Sequence, residues 1–359
     1  MWRSRLGLGN SITALLLALI VFLPAKAFGQ ADVEGYEITF PSMGTLVSLQ
    51  TFSDDTQLVE TVFEEAQSEI DRLVQIFSDY AESSEARTIC QPANVGRWQK
   101  VSAEMWEVLL ISDQWNRLSD GAFDASIGQL SILWRKARKQ NKIPSQAEID
   151  AARQLCGWQH VELDHESHAI KITLEGLRLD FGAVAKGYII EKAFQFLSTR
   201  GLSRSMVRAG GDLRCGDPPP DRAGWKIEIA NIDGSDDKPS RFWLTNGAVS
   251  SSGDLHQFIE INGKRRSHVL DPKTGIGVEG PMMVTVVTTN ATEADVSDTT
   301  ICILGHEAGM ELCKKRPDLK VRIVSRLNDS DETQPTGNQQ TGNQMRVSQH
   351  GFDLLESIE

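Results

Sequence analysis

Lys186 stands in Leu179-Asp180-Phe181-Gly182-Ala183-Val184-Ala185-Lys186-Gly187, a run that turns from strand character into a helix. Wound as a helix, Lys186 shares a face with Ile190, Ala193 and Leu197, while Tyr188, Glu191, Lys192, Gln195 and Ser198 form the polar face. The ammonium therefore points toward the apolar side, where an unpaired ion costs about several kcal/mol or neutralises. One resolution is a bound phosphate, to which the glycine-containing junction also offers backbone N–H groups. The other is a carboxylate such as Asp180, or escape of the long side chain over the core edge to water.

A second set is Thr292-Glu293-Ala294-Asp295-Val296-Ser297-Asp298-Thr299. Helical spacing brings Asp295, Asp298 and Thr299 to one face, and two carboxylates with a hydroxyl make a hard-oxygen set suited to Mg²⁺. The same residues also read as a helix start, with Thr292 as N-cap and Asp295 at N3. A third set is Ser267-His268-Val269-Leu270-Asp271-Pro272-Lys273-Thr274-Gly275, in which Asp-Pro-x-Thr-Gly closes a strand by turn chemistry. His268 falls on the same alternating face as Leu270. Its imidazole either accepts a proton from an attacking hydroxyl or serves as a structural hydrogen-bond partner.

Gly210-Gly211-Asp212 and Ser250-Ser251-Ser252-Gly253-Asp254 each follow a strand and either lay amides against a phosphate or form plain tight turns. Phe123-Asp124 and Met43-Gly44-Thr45 suit the lining of an aromatic ligand site, or simply a core. The chain has no Gly-x-Ser-x-Gly elbow, no Walker-type loop and no metal-type histidine cluster.

These residues need a scaffold. Residues 36–52 read as one or two strands broken near Pro41, and Val59, Phe63, Ala66, Ile70, Leu73 and Phe77 put an apolar stripe on a helix of about five turns. That helix delivers Ser78-Asp79-Tyr80 into a loop. Further helices are expected over 103–118 behind Ser102, around 145–155, over 183–199 and over 293–304, the last followed by a short polar helix. Strands are expected at 161–163, 169–174, 177–181, 205–209, 225–230, 242–244, 248–252, 258–261, 267–270, 284–288 and 320–325. Clustered strands that do not alternate strictly with helices argue for an α+β fold.

Composition narrows the partners. With 359 residues, 40% hydrophobic and 24% charged, the chain can bury a sizeable core. A net charge of -12 leaves no broad basic surface, and the cluster Arg135-Lys136-Ala137-Arg138-Lys139 reads as a solvated helix face, so nucleic acid is not an expected partner. Arg3 and Arg5 precede an apolar run from Ile12 to Leu23, then Pro24 and Ala25-Lys26-Ala27. That run is shorter than the roughly 20 apolar residues that span a bilayer, so residues 1–27 read as a secretory signal peptide and the expected location is the periplasm. Left uncleaved, the segment would tether the protein to the membrane. Since the first cysteine is Cys90, lipid attachment at a processed N-terminal cysteine is not expected. The five cysteines form no C-x-x-C pair, and Cys302 and Cys313 read as small core residues. Residues 328–344, which contain Thr-Gly-Asn-Gln twice, read as a disordered polar insertion between a domain at 32–327 and a C-terminal segment at 345–359.

Taken in order, eight motifs resemble the ApbE family of FAD:protein FMN transferases over about residues 36–325. They are Met43-Gly44-Thr45; Ser78-Asp79-Tyr80 with Ser84-Glu85; Gly121-Ala122-Phe123-Asp124; Leu179 through Gly187; Ala209-Gly210-Gly211-Asp212; Ser252-Gly253-Asp254; Ser267 through Gly275; and Ala294-Asp295 with Thr299. The resemblance implies a T-fold-like α+β domain around an FAD cleft. It implies FAD contacts from Met43, Tyr80, Ala122, Phe123, Asp124, Asp180, Lys186 and Val269, and Mg²⁺ held by the Ala183 carbonyl, Asp295 and Thr299. It further implies as acceptor a threonine or serine hydroxyl of an exported flavoprotein, often a subunit of a membrane redox complex; with FAD so placed, Lys186 and Asp295, and His268 as proton acceptor, are the expected catalytic groups. Hydrolysis of FAD to FMN and AMP, or FAD carriage without chemistry, are the alternative activities. The chain departs from the family pattern at Ser126, Gln129, Arg208, Cys90 and Leu255, and at Asp298, where a small apolar residue is usual.

Overall fold

The computed structural model describes residues 33–140, 142–229, 240–253, 258–261, 264–280, 282–326, 345–355 and 357–358. The expected signal segment and the polar stretch 328–344 lie outside them.

An eight-stranded sheet runs β1 (Glu34–Ser42), β2 (Thr45–Ser53), β6 (Ser205–Ala209), β7 (Asp212–Cys215), β10 (Ala248–Gly253), β14 (Met282–Thr288), β15 (Lys320–Arg326) and β16 (Met345–His350). Its neighbours pair antiparallel throughout. Smaller sheets are β3 (Gln99–Lys100), β4 (Val161–Asp164) and β5 (Ala169–Ile172); β11 (Phe258–Ile261), β12 (Lys264–Asp271) and β13 (Ile276–Glu279); and the hairpin β8 (Trp225–Ile229) with β9 (Ser240–Leu244). The helices are α1 (Thr56–Phe77), α2 (Glu85–Ile89), α3 (Ala103–Leu118), α4 (Gly128–Gln140), α5 (Gln146–Arg153), α6 (Ala185–Thr199) and α7 (Ala291–Lys314). The α+β class expected from the clustered strands is the observed one.

Alternation along the strands builds two cores on the two faces of the sheet. Val207, Ala248, Val284, Val286 and Ile323 face the layer formed by α1, α6 and α7. Met206, Val249, Met283, Val287 and Val324 face Trp225, Ile227 and Phe242 of the β8–β9 hairpin. The first hairpin breaks at Met43-Gly44, both in the left-handed region, rather than at Pro41, which stays paired with Leu46.

Several expectations need correction. The segment 177–181 joins no sheet beyond an isolated bridge from Arg178 to Ile127, and α6 begins at Ala185 rather than 183. The expected polar face of α6 is covered in part: Tyr188 and Glu191 are buried, whereas Gln195 is exposed and Lys192 and Ser198 are half-buried. Glu191 is satisfied there by the Ala291 amide at 2.8 Å and by Arg214 at 3.2 Å. The N-cap of α7 is Asn290, which accepts from the Thr292 and Glu293 amides, so Asp295 is released from a capping box. Residues 345–350, read only as a C-terminal segment, extend the main sheet as β16. Helix α7 is interrupted at Gly305 (φ 73°), which matches the expected helix to residue 304 and the short one beyond it. Cys302 and Cys313 are buried, as expected of core thiols.

Candidate functional site

The start of α6 is fixed by aromatic packing and by a foreign carboxylate. Phe77 at the end of α1 makes edge-on contacts with Phe181 at 6.0 Å and Tyr188 at 5.4 Å, gripping both sides of the junction that carries Lys186. The junction is steadied again by Cys90, whose Sγ accepts from the Leu179 amide at 3.4 Å. In the first turn of α6 the Gly187 amide donates not to the Ala183 carbonyl but to Asp295 Oδ2 at 2.7 Å. A carboxylate from α7 thus serves an orphan donor at the N-terminus of α6, where negative charge is favoured. Gly187 makes this possible, because a Cβ there would lie 2.3 Å from the Ala291 carbonyl oxygen.

Lys186 sits between two carboxylates, ion-paired with Asp212 and 3.5 Å from Asp295 Oδ1. Both acids are buried, while the lysine side chain keeps 30% of its exposure. Asp212 is further held by the Ser250 hydroxyl at 2.7 Å and the Ser251 amide at 3.3 Å. The inward-pointing lysine therefore has a protein anion, but that anion is Asp212. Asp180 accepts instead from the Gly182 amide at 2.8 Å.

Lys186 opens onto a cavity of about 510 Å³, within the range of small-molecule sites. Ala122, Phe123, Asp124, Asp180, Ala183, Lys186, His268, Val269, Asp295 and Thr299 all line it, so segments far apart in sequence meet there. Met43 and Tyr80 do not line it. Met43 packs on the main core from the β1–β2 turn, and Tyr80 is exposed beneath the Arg135 guanidinium, 4.4 Å from its ring centre. Gly211 contributes to the lining from the β6–β7 turn, Ser251, Ser252 and Gly253 contribute from the end of β10 itself, where they stay paired with β14, and Asp254 lies outside the described residues.

Asp124 accepts from the Ser126 amide at 2.7 Å, the Ser126 hydroxyl at 2.5 Å and the Trp158 amide at 3.2 Å, while burial pushes its carboxyl above the usual range. Ser126 thus serves Asp124 with both its amide and its hydroxyl. His268 is exposed, whereas Val269 and Leu270 are buried, so simple alternation with Leu270 fails. The cause is a register shift between Arg266 and Leu270 in the β12–β13 pairing, a bulge that re-aims one side chain.

Asp298 has no exposed surface. Its Oδ1 accepts from Ser252 Oγ at 2.8 Å and Thr299 Oγ1 at 3.1 Å, while Oδ2 has no hydrogen-bond partner. Burial, then the Asp295 charge, pushes the Asp298 carboxyl up to about 7, against the pull of Lys186. Among the described residues no three His, Cys, Asp or Glu side chains converge as a metal-holding group. A cation here would instead rest on Asp295, the Thr299 hydroxyl and the Ala183 carbonyl, whose helical donor is turned to Asp295. A ligand's phosphate oxygens would complete its shell, as Mg²⁺ commonly requires.

Sequence reasoning missed Asp212 as the lysine's partner and Gly187 as the contact point of the two helices. A glycine directly after an inward lysine was the available signal for the second.

An antiparallel sheet covered by helices, with an ion-paired lysine and hard-oxygen donors at one cavity, has the chemistry of a site for a phosphorylated ligand. The ApbE family model matches residues 43–323, and the chain belongs to the ApbE family. It is 29% identical over 330 residues to the FAD:protein FMN transferase of Escherichia coli (strain K12), covering 89% of this chain and 93% of that protein. It is similar in structure to the apo form of the flavinyl transferase ApbE of Pseudomonas stutzeri, with a TM-score of 0.76 at 26% identity, covering 90% of this chain and 97% of that one. The ApbE protein of Thermotoga maritima superposes with a TM-score of 0.75 at 26% identity.

Proposed function

We propose that this chain transfers FMN from FAD to a threonine or serine hydroxyl of another protein and releases AMP. The observation that carries this reading is the convergence of Lys186, Asp295, Thr299 and His268, from separate parts of the chain, on one cavity. In this reading FAD contacts Ala122, Phe123, Asp124, Asp180, Lys186 and Val269; Met43 and Tyr80 enter through the family resemblance alone. The pyrophosphate lies between Lys186 and the Asp295–Thr299 pair.

The acceptor hydroxyl oxygen forms a bond to the phosphorus on the FMN side. The bond from that phosphorus to the bridging oxygen breaks, and AMP leaves with the electron pair. His268 takes the acceptor's proton. Lys186 offsets charge on the phosphate oxygens, held in place by Asp212 so that little reorganisation accompanies reaction. Mg²⁺ held by Asp295, Thr299 and the Ala183 carbonyl would supply Lewis-acid polarisation of those oxygens, worth about several kcal/mol. The donor set fits it: one carboxylate, one hydroxyl, one carbonyl and a buried unpartnered acid oxygen close by. The charged run and apolar segment before residue 28 support export to the periplasm, and with it an exported flavoprotein acceptor such as a subunit of a membrane redox complex.

The test is to mix the protein with FAD, Mg²⁺ and a candidate exported acceptor, then follow AMP release and covalent flavin fluorescence on a denaturing gel. Free FMN without a fluorescent protein band would replace transfer by hydrolysis, and no AMP at all would leave only binding. Asp295→Ala should abolish AMP release; full activity in that variant would reject the metal assignment.

A further inference from the structure

We infer that Asp298 is a positioning residue that holds the Thr299 hydroxyl proton inside the protein, so that Thr299 presents only lone pairs to the cavity as a cation ligand. Asp298 Oδ1, Ser252 Oγ and Thr299 Oγ1 form a closed triangle with sides of 2.8, 3.1 and 2.9 Å. A hydroxyl has one proton and two acceptor lone pairs. Asp298 Oδ1 accepts from both hydroxyls, so the Thr299 proton is directed at Asp298 or at Ser252, and in both arrangements it is turned inward. Without Asp298, Ser252 Oγ is left as the partner of that hydroxyl and has its own proton to place, so the Thr299 proton is no longer fixed inward. Carboxylates behind a ligating group commonly fix its orientation in this way.

A second observation concerns charge. Asp212, Asp295 and Asp298 are all buried, and among the described residues Lys186 is the only cation ion-paired with any of them. With Asp212 and Asp295 ionised, the single charge of Lys186 leaves one negative charge over, and Asp298 Oδ2 is buried beside them with no hydrogen-bond partner. A divalent cation beside Thr299 would balance that charge and bring a partner within reach of the buried acid oxygen. This chain should therefore bind a divalent cation before FAD arrives.

This role deepens the FMN-transfer reading and is tested separately from it, by titrating Mn²⁺ into the full-length protein without FAD and following it by electron paramagnetic resonance. The wild-type protein should bind Mn²⁺, and Asp298→Asn, which keeps the shape and removes the charge, should weaken the Kd by about 10-fold or more. Asp298→Ala should do the same and serves if the asparagine variant is unstable. Ser252→Ala should stay within about 2-fold of wild type, because Asp298 alone still takes the Thr299 proton. The Mg²⁺ concentration for half-maximal transfer should rise with the Mn²⁺ Kd, while kcat at saturating Mg²⁺ changes much less. A wild-type protein that binds no Mn²⁺ without FAD, or Asp298 variants that fold normally and hold Mn²⁺ within about 2-fold of wild type, would overturn the assignment. So would a Ser252→Ala loss as large as theirs. A protein that binds Mn²⁺ as expected but releases no AMP from FAD would overturn the functional reading and leave the role of Asp298 intact.

Discussion

Replacing Gly187 by alanine should separate the two helices that carry the site. The added methyl would lie 2.3 Å from the Ala291 carbonyl oxygen and 2.5 Å from Asp295 Cβ, both parts of α7 that no rotamer change can move. Ordinary contact begins near 3.4 Å, so the helices must part by about 1 Å. Overpacking of this kind costs about 1–3 kcal/mol. The 2.7 Å bond from the Gly187 amide to Asp295 is charge-assisted, and stretching it forfeits part of roughly 1.5–3 kcal/mol. Against this, alanine gains at most about 1 kcal/mol of helix propensity over glycine. The net expectation is a destabilisation of about 2–4 kcal/mol. Activity should suffer more than stability, because a shift of about 1 Å in Asp295 relative to Lys186 can cost roughly 100-fold in rate. Urea unfolding followed by tryptophan fluorescence measures the first quantity, and AMP release from FAD in native conditions measures the second. Gly211→Ala is the stability control, since a Cβ there meets nothing within 4 Å and Gly211 is not among the positive-φ glycines. A Gly187→Ala protein as stable as wild type and fully active would refute the close helix crossing as the device that places Asp295.

Lys186→Met should lower FMN transfer by at least about 100-fold and destabilise the fold by up to about 3 kcal/mol, because Asp212 is left buried without its cation; an unchanged AMP-release rate would remove Lys186 from the chemistry. His268→Ala should cut kcat by about 100-fold or more with FAD affinity largely retained, read by fluorescence titration beside turnover. Asp295→Asn keeps an acceptor for the Gly187 amide and loses the charge, so it should retain more stability than Asp295→Ala in urea while losing activity to the same extent. Burial pushes the thiols of Cys156, Cys215 and Cys313 up to about 11, whereas the unfolded chain loses those protons near 9. The folded state holds protons that the unfolded state releases, so this stabilisation is complete below pH 9 and fades as pH rises through 11; the urea midpoint under reducing conditions should fall from pH 8 to pH 10.5.

What could be read from sequence was whatever depends on spacing along one element. The stripe from Val59 to Phe77 gave α1, and the i, i+4 relation put Asp295 and Thr299 on one face of α7. The inward aim of Lys186 followed from its neighbours four, seven and eleven residues on. What could not be read depends on which elements meet. Asp212 became the partner of Lys186 because β7 lies beside β10 and beneath α6, a long-range pairing that no local pattern encodes. Tyr188 and Glu191 belong to a polar face by composition and are buried in fact, since α6 packs against both α1 and α7, while Gln195 of the same face stays exposed. The bulge in β12 moved His268 off the face that alternation assigns, and β7 and β13 are four-residue strands too short to show a period.

The site and the packing of the fold share one carboxylate. Asp295 Oδ2 completes the first turn of α6, and Oδ1 faces the lysine that the same turn presents. Its position is therefore set by the helix crossing itself and not by a loop that could drift, and the group expected to meet the ligand's phosphates is rigid before any ligand arrives. The same arrangement explains why the glycine after Lys186 matters as much as the lysine. A larger residue there would leave Lys186 and Asp295 chemically intact and place them wrongly with respect to each other. Loss of function at this site can thus come from a change in backbone approach alone, with every ionisable group still present.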